Sequence, residues 1–146
     1  MNKIKEIYGV PLTSSPAAVD TLLAHFEDLQ IAPSYYDLIV TGDLGKVGYS
    51  IVMDLMAKNG VKMNNYNDCG IMLYNNEKQD THAGGSGCGC SAAVLCAHLL
   101  PEMEKGRLNK ILFIGTGALM SPTSIQQGES LPGIAHAVVI SNERQG

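Results

Sequence analysis

The chain has 146 residues, 45% hydrophobic and 16% charged, a length and balance that give one folded domain over residues 1–146 and exclude a disordered chain. Ten Lys and Arg against 14 Asp and Glu leave a formal charge of −4, and the cations are scattered, so no basic patch marks a nucleic-acid partner. Two Phe, six Tyr and no Trp argue against a base-stacking surface and leave small and aliphatic side chains to fill the core.

Residues Met1 to Val10 hold no apolar run and no small-residue cleavage site, so no secretory signal is expected. Ser14-Ser15-Pro16 reads as a helix start, with a serine cap and proline in the first turn. Val19, Leu22, Leu23, Phe26 and Leu29 then recur at helical spacing, to an end near Gln30. Asp37 to Thr41 is a short buried strand, Gly42 to Gly45 the turn leaving it, and Val47, Ile51, Val52, Leu55 and Met56 the apolar face of a second helix closed by Asn59-Gly60. The polar run Asn64 to Asp68 reads as a turn, and Ile71 to Tyr74 as a strand or a helix start. A glycine-rich loop, Gly84 to Ser91, opens onto a helix from Ala92 to Leu100. Pro101 should kink it or force a restart that ends at Gly106. Lys110 to Thr116 and Ile134 to Ile140 are the closing strands, and the alternation predicts an α/β layered domain. The apolar stretch Ile111 to Met120 is broken by glycines and a threonine, well short of the roughly 20 residues that span a bilayer. Four cysteines in such a chain are expected as thiols in a reducing compartment.

The chemistry concentrates in His82-Ala83-Gly84-Gly85-Ser86-Gly87-Cys88-Gly89-Cys90. Glycines let a backbone approach closely, and N–H groups at a helix start attract an anion, so a carboxylate or phosphate fits there. Close packing of elements explains the same glycines equally well, and both readings stand. The loop is neither a Walker loop nor a dinucleotide fingerprint. Cys69, His82, Cys88, Cys90 and His98 do not have zinc-ligand spacing, so no metal is expected and buried thiols are the simpler account. Cys88 at a helix start is a nucleophile candidate with no companion fixed by sequence. His98 and His136 read as core or interface histidines. Asp68, if buried, needs partners or a cation and becomes a site candidate.

Five segments together, Tyr36 to Gly45, Asp68 to Met72, His82 to Ser91, Gly115 to Pro122 and Ile134 to Ile140, resemble the C-terminal half of the stage V sporulation protein AD family, whose members share the thiolase fold. The resemblance runs from about Pro16 to Ile140 and leaves residues 1–15 poorly matched. It implies a thiolase-like half-domain with a buried central helix and a mixed five-stranded sheet, or four-stranded if the first strand is lost. It also implies a non-catalytic, cofactor-free protein that binds dipicolinic acid or its calcium chelate and assists its uptake into the developing spore with membrane-embedded partner subunits. Its place would be cytoplasmic or forespore, peripheral at the spore inner membrane. Asp68, His82, Gly84, Gly85, Ser86, Gly87 and Cys88 are the ligand-binding residues expected. The rivals are an acyltransferase of the condensing type and a purely structural assembly module. In similar ketoacyl synthases a catalytic His would fall at or next to Gly42 and a catalytic Asn at Ser86, and neither residue here does that work. Because the helix from Cys88 to Leu100 is apolar all round, a homodimer through it is also expected.

Overall fold

The computed structural model describes residues 9–75, 77–118, 123, 126–127 and 133–143, with side chains from Ser14 onward. The readings made for residues 1–8 and for 119–122 of the resembling segment lie outside them. In chain order the elements are α1 (Gly9–Leu29), a 3-10 turn (Pro33–Tyr35), β1 (Leu38–Thr41), α2 (Gly45–Lys58), β2 (Tyr66–Asp68), α3 (Cys69–Met72), α4 (Cys90–Val94), a π turn (Leu95–Leu99), α5 (Leu100–Glu104), β3 (Lys110–Ala118) and β4 (Gly133–Ser141). The described strands form one mixed four-stranded sheet in the order β2-β1-β3-β4, the smaller of the two expected sheets. β1 runs parallel to both neighbours, and β4 closes the sheet antiparallel to β3.

Strands buried on both faces explain the unbroken apolar runs of β1 and β3. Ile39, Leu112 and Ile114 face one way, onto Val19, Leu22 and Phe26 of α1 and Val52 and Met56 of α2. Val40 and Ile111 face the other way, onto Cys90, Val94, Leu99 and Met103. The connections leaving β1 and entering β3 therefore lie on opposite faces. Their carboxyl ends form the kind of crevice in which open α/β sheets bind ligands.

Three sequence expectations need correction. α1 begins ahead of Ser14, with Pro16 inside it. The two serines are buried tertiary anchors instead of caps: Ser14 Oγ donates to the Gly117 carbonyl at 3.0 Å and Ser15 Oγ to that of Gly48 at 3.4 Å. Those contacts, with Thr21 Oγ1 donating to the Ala135 carbonyl at 2.7 Å, hold the helix on the sheet and offset the hydrogen bond that Pro16 removes. In α2 the buried face is Gly45, Gly48, Val52 and Met56, while Val47 is exposed. The helix after the glycine loop, implied as a buried central helix, is covered on one face and open on the other, the face on which the expected second copy would sit. Val94 and Leu99 are covered, but Ala92, Ala93, Cys96, Ala97 and His98 are exposed, and His136 on β4 is exposed too, so neither histidine is a core residue. The expected disturbance at Pro101 takes the form of a widened turn. The Leu100 N–H bonds the Leu95 carbonyl, five residues back, just before the residue that has no N–H to give.

The ends of β1 and β3 opposite the crevice are tied by Asp37, whose Oδ2 accepts the N–H groups of Asn109 at 2.6 Å and Lys110 at 2.9 Å. These bonds, and the nearby Lys110 charge, hold its carboxyl below the usual range. A carboxylate whose folded pKa is depressed contributes stability above its unfolded pKa and loses it as pH falls through the folded value. Asp37→Asn keeps an acceptor and loses the charge. We expect it to unfold about 0.5–1 kcal/mol more easily at pH 6, a modest figure because the site is exposed. That gap should close in urea titrations as pH falls below the ordinary carboxylate range of about 4 and through the lower folded value.

Candidate functional site

The site is built from the carboxyl ends of β1 and β2. Register places Thr41 beside Asp68, which is why a threonine and an aspartate can sit inside an apolar layer. Asp68 is fully buried. Its Oδ2 accepts the Thr41 hydroxyl at 2.6 Å and the Leu44 N–H at 3.0 Å, and its Oδ1 accepts the N–H groups of Gly45 at 2.8 Å and Gly70 at 2.9 Å. The carboxylate thus fixes the start of α2 and caps α3 at once. Burial pushes its pKa up, against the pull of those four donors. The Tyr66 hydroxyl lies 2.8 Å from Thr41 Oγ1, and its ring stacks on Tyr49 with centroids 4.9 Å apart. Burial raises the Tyr66 pKa as well. The polar run before Asp68 is strand β2 and its entry, not a turn. Asn65 Nδ2 donates to the carbonyls of Pro33 and Tyr36, and Asn67 Oδ1 accepts the Asp68 N–H.

The glycine loop divides into a packed root and an exposed tip. At the root, Gly85 N–H donates to the Gly70 carbonyl at 2.7 Å, and Lys46 N–H to the Ala83 carbonyl at 2.7 Å. A β-carbon on Gly84 would stand 2.5 Å from the Gly70 carbonyl oxygen, and one on Gly85 would stand 2.9 Å from Leu73 and 3.0 Å from Tyr74. At the tip, Ser86, Gly87, Cys88 and Gly89 are exposed, and a β-carbon on Gly87 or Gly89 would meet nothing within 4 Å. Asp43 reaches the tip from the turn after β1. Its Oδ2 accepts the Gly87 N–H at 2.9 Å and the Ser86 hydroxyl at 3.2 Å, and its Oδ1 accepts the Thr116 hydroxyl of β3 at 3.0 Å.

The expected site residues therefore fall in three places. Gly84 and Gly85 pack on the turn that Asp68 organises, and Ser86 and Gly87 meet Asp43. His82 stands apart and exposed, its Nδ1 2.9 Å from Asp80 Oδ1, on an open polar depression of about 400 Å³ shared with Lys46 and Lys78. Gly42 and Ser86, where the resembling enzymes would carry His and Asn, do come together, since the residue after Gly42 holds the Ser86 hydroxyl. Asp43 and Thr116 were not singled out by the sequence. The available signal was an acidic residue in a Gly-Asp-Leu-Gly turn directly after a buried strand.

Of the four free cysteines, Cys69 and Cys90 are buried and Cys88 and Cys96 exposed. Burial, helped by the Asp68 carboxylate, pushes the Cys69 thiol up to about 12, and burial raises Cys90 too, so neither is a ready thiolate. Among the described residues no group of three or more His, Cys, Asp or Glu is placed to hold a metal ion, and no helix is long and apolar enough to cross a membrane.

Residues 4–141 match the family described as stage V sporulation protein AD. The chain belongs to this family. It is 47% identical over 144 residues to the stage V sporulation protein AD of Bacillus subtilis (strain 168), an alignment that covers 98% of this chain and 42% of that relative. The chain thus spans less than half the length of the curated family member it matches. Within that span lies the whole arrangement of Asp43, Asp68 and the glycine loop.

Proposed function

We propose that this chain is a non-catalytic, thiolase-like half-domain of a sporulation protein that binds dipicolinic acid, free or as its calcium chelate, and assists its uptake into the developing spore alongside membrane-embedded subunits. The observation that carries the reading is the placement of the loop Gly84–Gly89 over the carboxyl ends of β1 and β3, with hydroxyl and N–H donors at an exposed tip. Membership of the sporulation family supports the biological setting. The proposal places the chain peripherally at the spore inner membrane, on its cytoplasmic or forespore side. It also has the exposed face Ala92, Ala93, Cys96 and Ala97 covered by a second copy, as an apolar helix face requires a cover.

The condensing-enzyme alternative is disfavoured by what stands at the site. Gly42 offers no base, the Ser86 hydroxyl is already given to Asp43, and two of the thiols are buried with raised pKa values. Of the ligand residues expected from sequence, Ser86, Gly87 and Cys88 at the tip, and His82 apart from it, have the exposure a contact needs. Asp68 does not, since all its oxygens are engaged in the interior. Calorimetric titration of the chain with dipicolinate, with and without calcium, tests the reading. Saturable heat is expected in at least one arm, and the same sample should release no CoA from acetoacetyl-CoA above background. Absence of heat in both arms, or sustained CoA release, would overturn it.

A further inference from the structure

The root of the glycine loop is held by packing and backbone bonds, whereas its tip is not packed at all. Among the described hydrogen bonds, the two that tie the tip to the sheet both end on one carboxylate oxygen, Asp43 Oδ2. The other oxygen is anchored to the neighbouring strand through Thr116, whose hydroxyl also accepts the Asp43 N–H at 3.1 Å. Asp43 is therefore rigidly based and offers a fixed acceptor to a tip whose other described bonds run only to the start of the next helix, from the Cys90 N–H to the Gly87 carbonyl at 3.1 Å and from the Ala93 N–H to that of Gly89 at 2.9 Å. Both tip contacts are solvent-exposed, so water competes for them and the tip can let go without disturbing the core. Gly87 at φ 114° shapes the tip so that its N–H points back at the sheet side, where Asp43 stands.

We propose that Asp43 is an autoinhibitory latch: its carboxylate occupies the Ser86 hydroxyl and Gly87 N–H, and a dicarboxylate reaches those donors only by displacing it. The inference rests on the functional reading above and adds its regulation. A ligand carboxylate wants the same two donors that Asp43 holds, and two like charges do not share them. Loop opening and ligand entry are then one event, with Asp43 as the positioning residue for the closed state.

Two variants separate the latch from its charge. Asp43→Ala removes the acceptor. Asp43→Asn leaves an amide oxygen for Ser86 and Gly87, and its NH2 finds an acceptor in the Thr116 hydroxyl, so the tip stays closed without the negative charge. Amide hydrogen exchange at Gly87 reads the latch, and calorimetry with dipicolinate reads its effect on binding. The expected results are at least tenfold faster Gly87 exchange in Asp43→Ala, restored protection when dipicolinate is added, and at least tenfold tighter binding than the parent. Asp43→Asn should keep parental exchange and bind with intermediate affinity. Where the parent binds dipicolinate, binding by Asp43→Ala no tighter than the parent's overturns the latch, and unchanged Gly87 exchange overturns it in every case. Uptake of dipicolinate by none of the three proteins overturns the functional reading instead. The exchange data alone then decide the latch, faster exchange supporting it and unchanged exchange refuting it.

Discussion

Asp68→Ala is expected to cost about 3–5 kcal/mol of folding stability, enough to remove much of the margin of an ordinary domain. The side chain satisfies four donors at once, three of them backbone N–H groups of Leu44, Gly45 and Gly70. Truncation strands them in the interior, where each unsatisfied donor costs roughly 1–3 kcal/mol, less whatever an entering water recovers. The losses fall on the starts of two helices at once, so α2 and α3 should loosen together. Asp68→Asn should recover only part. Whichever oxygen becomes NH2 meets a backbone donor that cannot turn away, Leu44 on one side or Gly45 and Gly70 on the other. Urea denaturation of the parent and both variants measures this, with the midpoint shifts giving the ranking. A loss under about 1 kcal/mol for Asp68→Ala would mean that the four bonds are not the structural node their geometry describes.

The same residue shows what the sequence could and could not disclose. Period and turn chemistry place β1, α2, β3 and β4, because Leu38 to Thr41 and Lys110 to Thr116 are apolar runs bounded by turn residues, and Gly60 and Gly106 stop helices with positive φ. β2 escaped because three of its flanking and internal residues are Asn or Asp. Such a polar run looks like a turn in one dimension, yet Asn65 donates to the distant carbonyls of Pro33 and Tyr36, and Asn67, accepting the Asp68 N–H, is the one that serves a neighbouring backbone group. The condition set for Asp68, burial with partners, is met, but by backbone donors that no motif announces. The start of α1 was hidden for the opposite reason. Ser-Ser-Pro is a good local helix start, and only contacts to Gly48 and Gly117, far away in sequence, reveal that the serines belong to the helix interior. Asp43 is the clearest omission. Its partners are 43 to 73 residues away, so nothing in its own neighbourhood distinguishes it from a solvated turn aspartate.

The glycines of the loop left close packing and ligand approach equally open in the sequence, and substitution should now split them into two classes. Gly70→Ala would put a β-carbon 2.2 Å from the Gly85 carbonyl oxygen and 2.9 Å from Asp68 Oδ1. Gly84→Ala would put one 2.5 Å from the Gly70 carbonyl, at a φ of 106° that side chains rarely adopt. Backbone atoms on both sides of this seam cannot swing aside, so the strain must move β2's exit or the loop root, at about 2–4 kcal/mol each. Gly89→Ala, with open space around the new carbon and φ of −93°, should be within about 0.5 kcal/mol of the parent. Thermal unfolding in parallel with dipicolinate titration separates the two roles. The root variants should lower Tm by roughly 5–15 °C, as a domain of this size loses a few degrees per kcal/mol. Gly89→Ala should leave Tm in place. If Gly84→Ala and Gly70→Ala unfold like the parent while losing dipicolinate, the root glycines face a ligand and not each other. Parental unfolding for Gly89→Ala beside large losses for the other two would place the requirement for glycine in the seam between loop and sheet, leaving the tip to Ser86, Gly87 and the carboxylate that holds them.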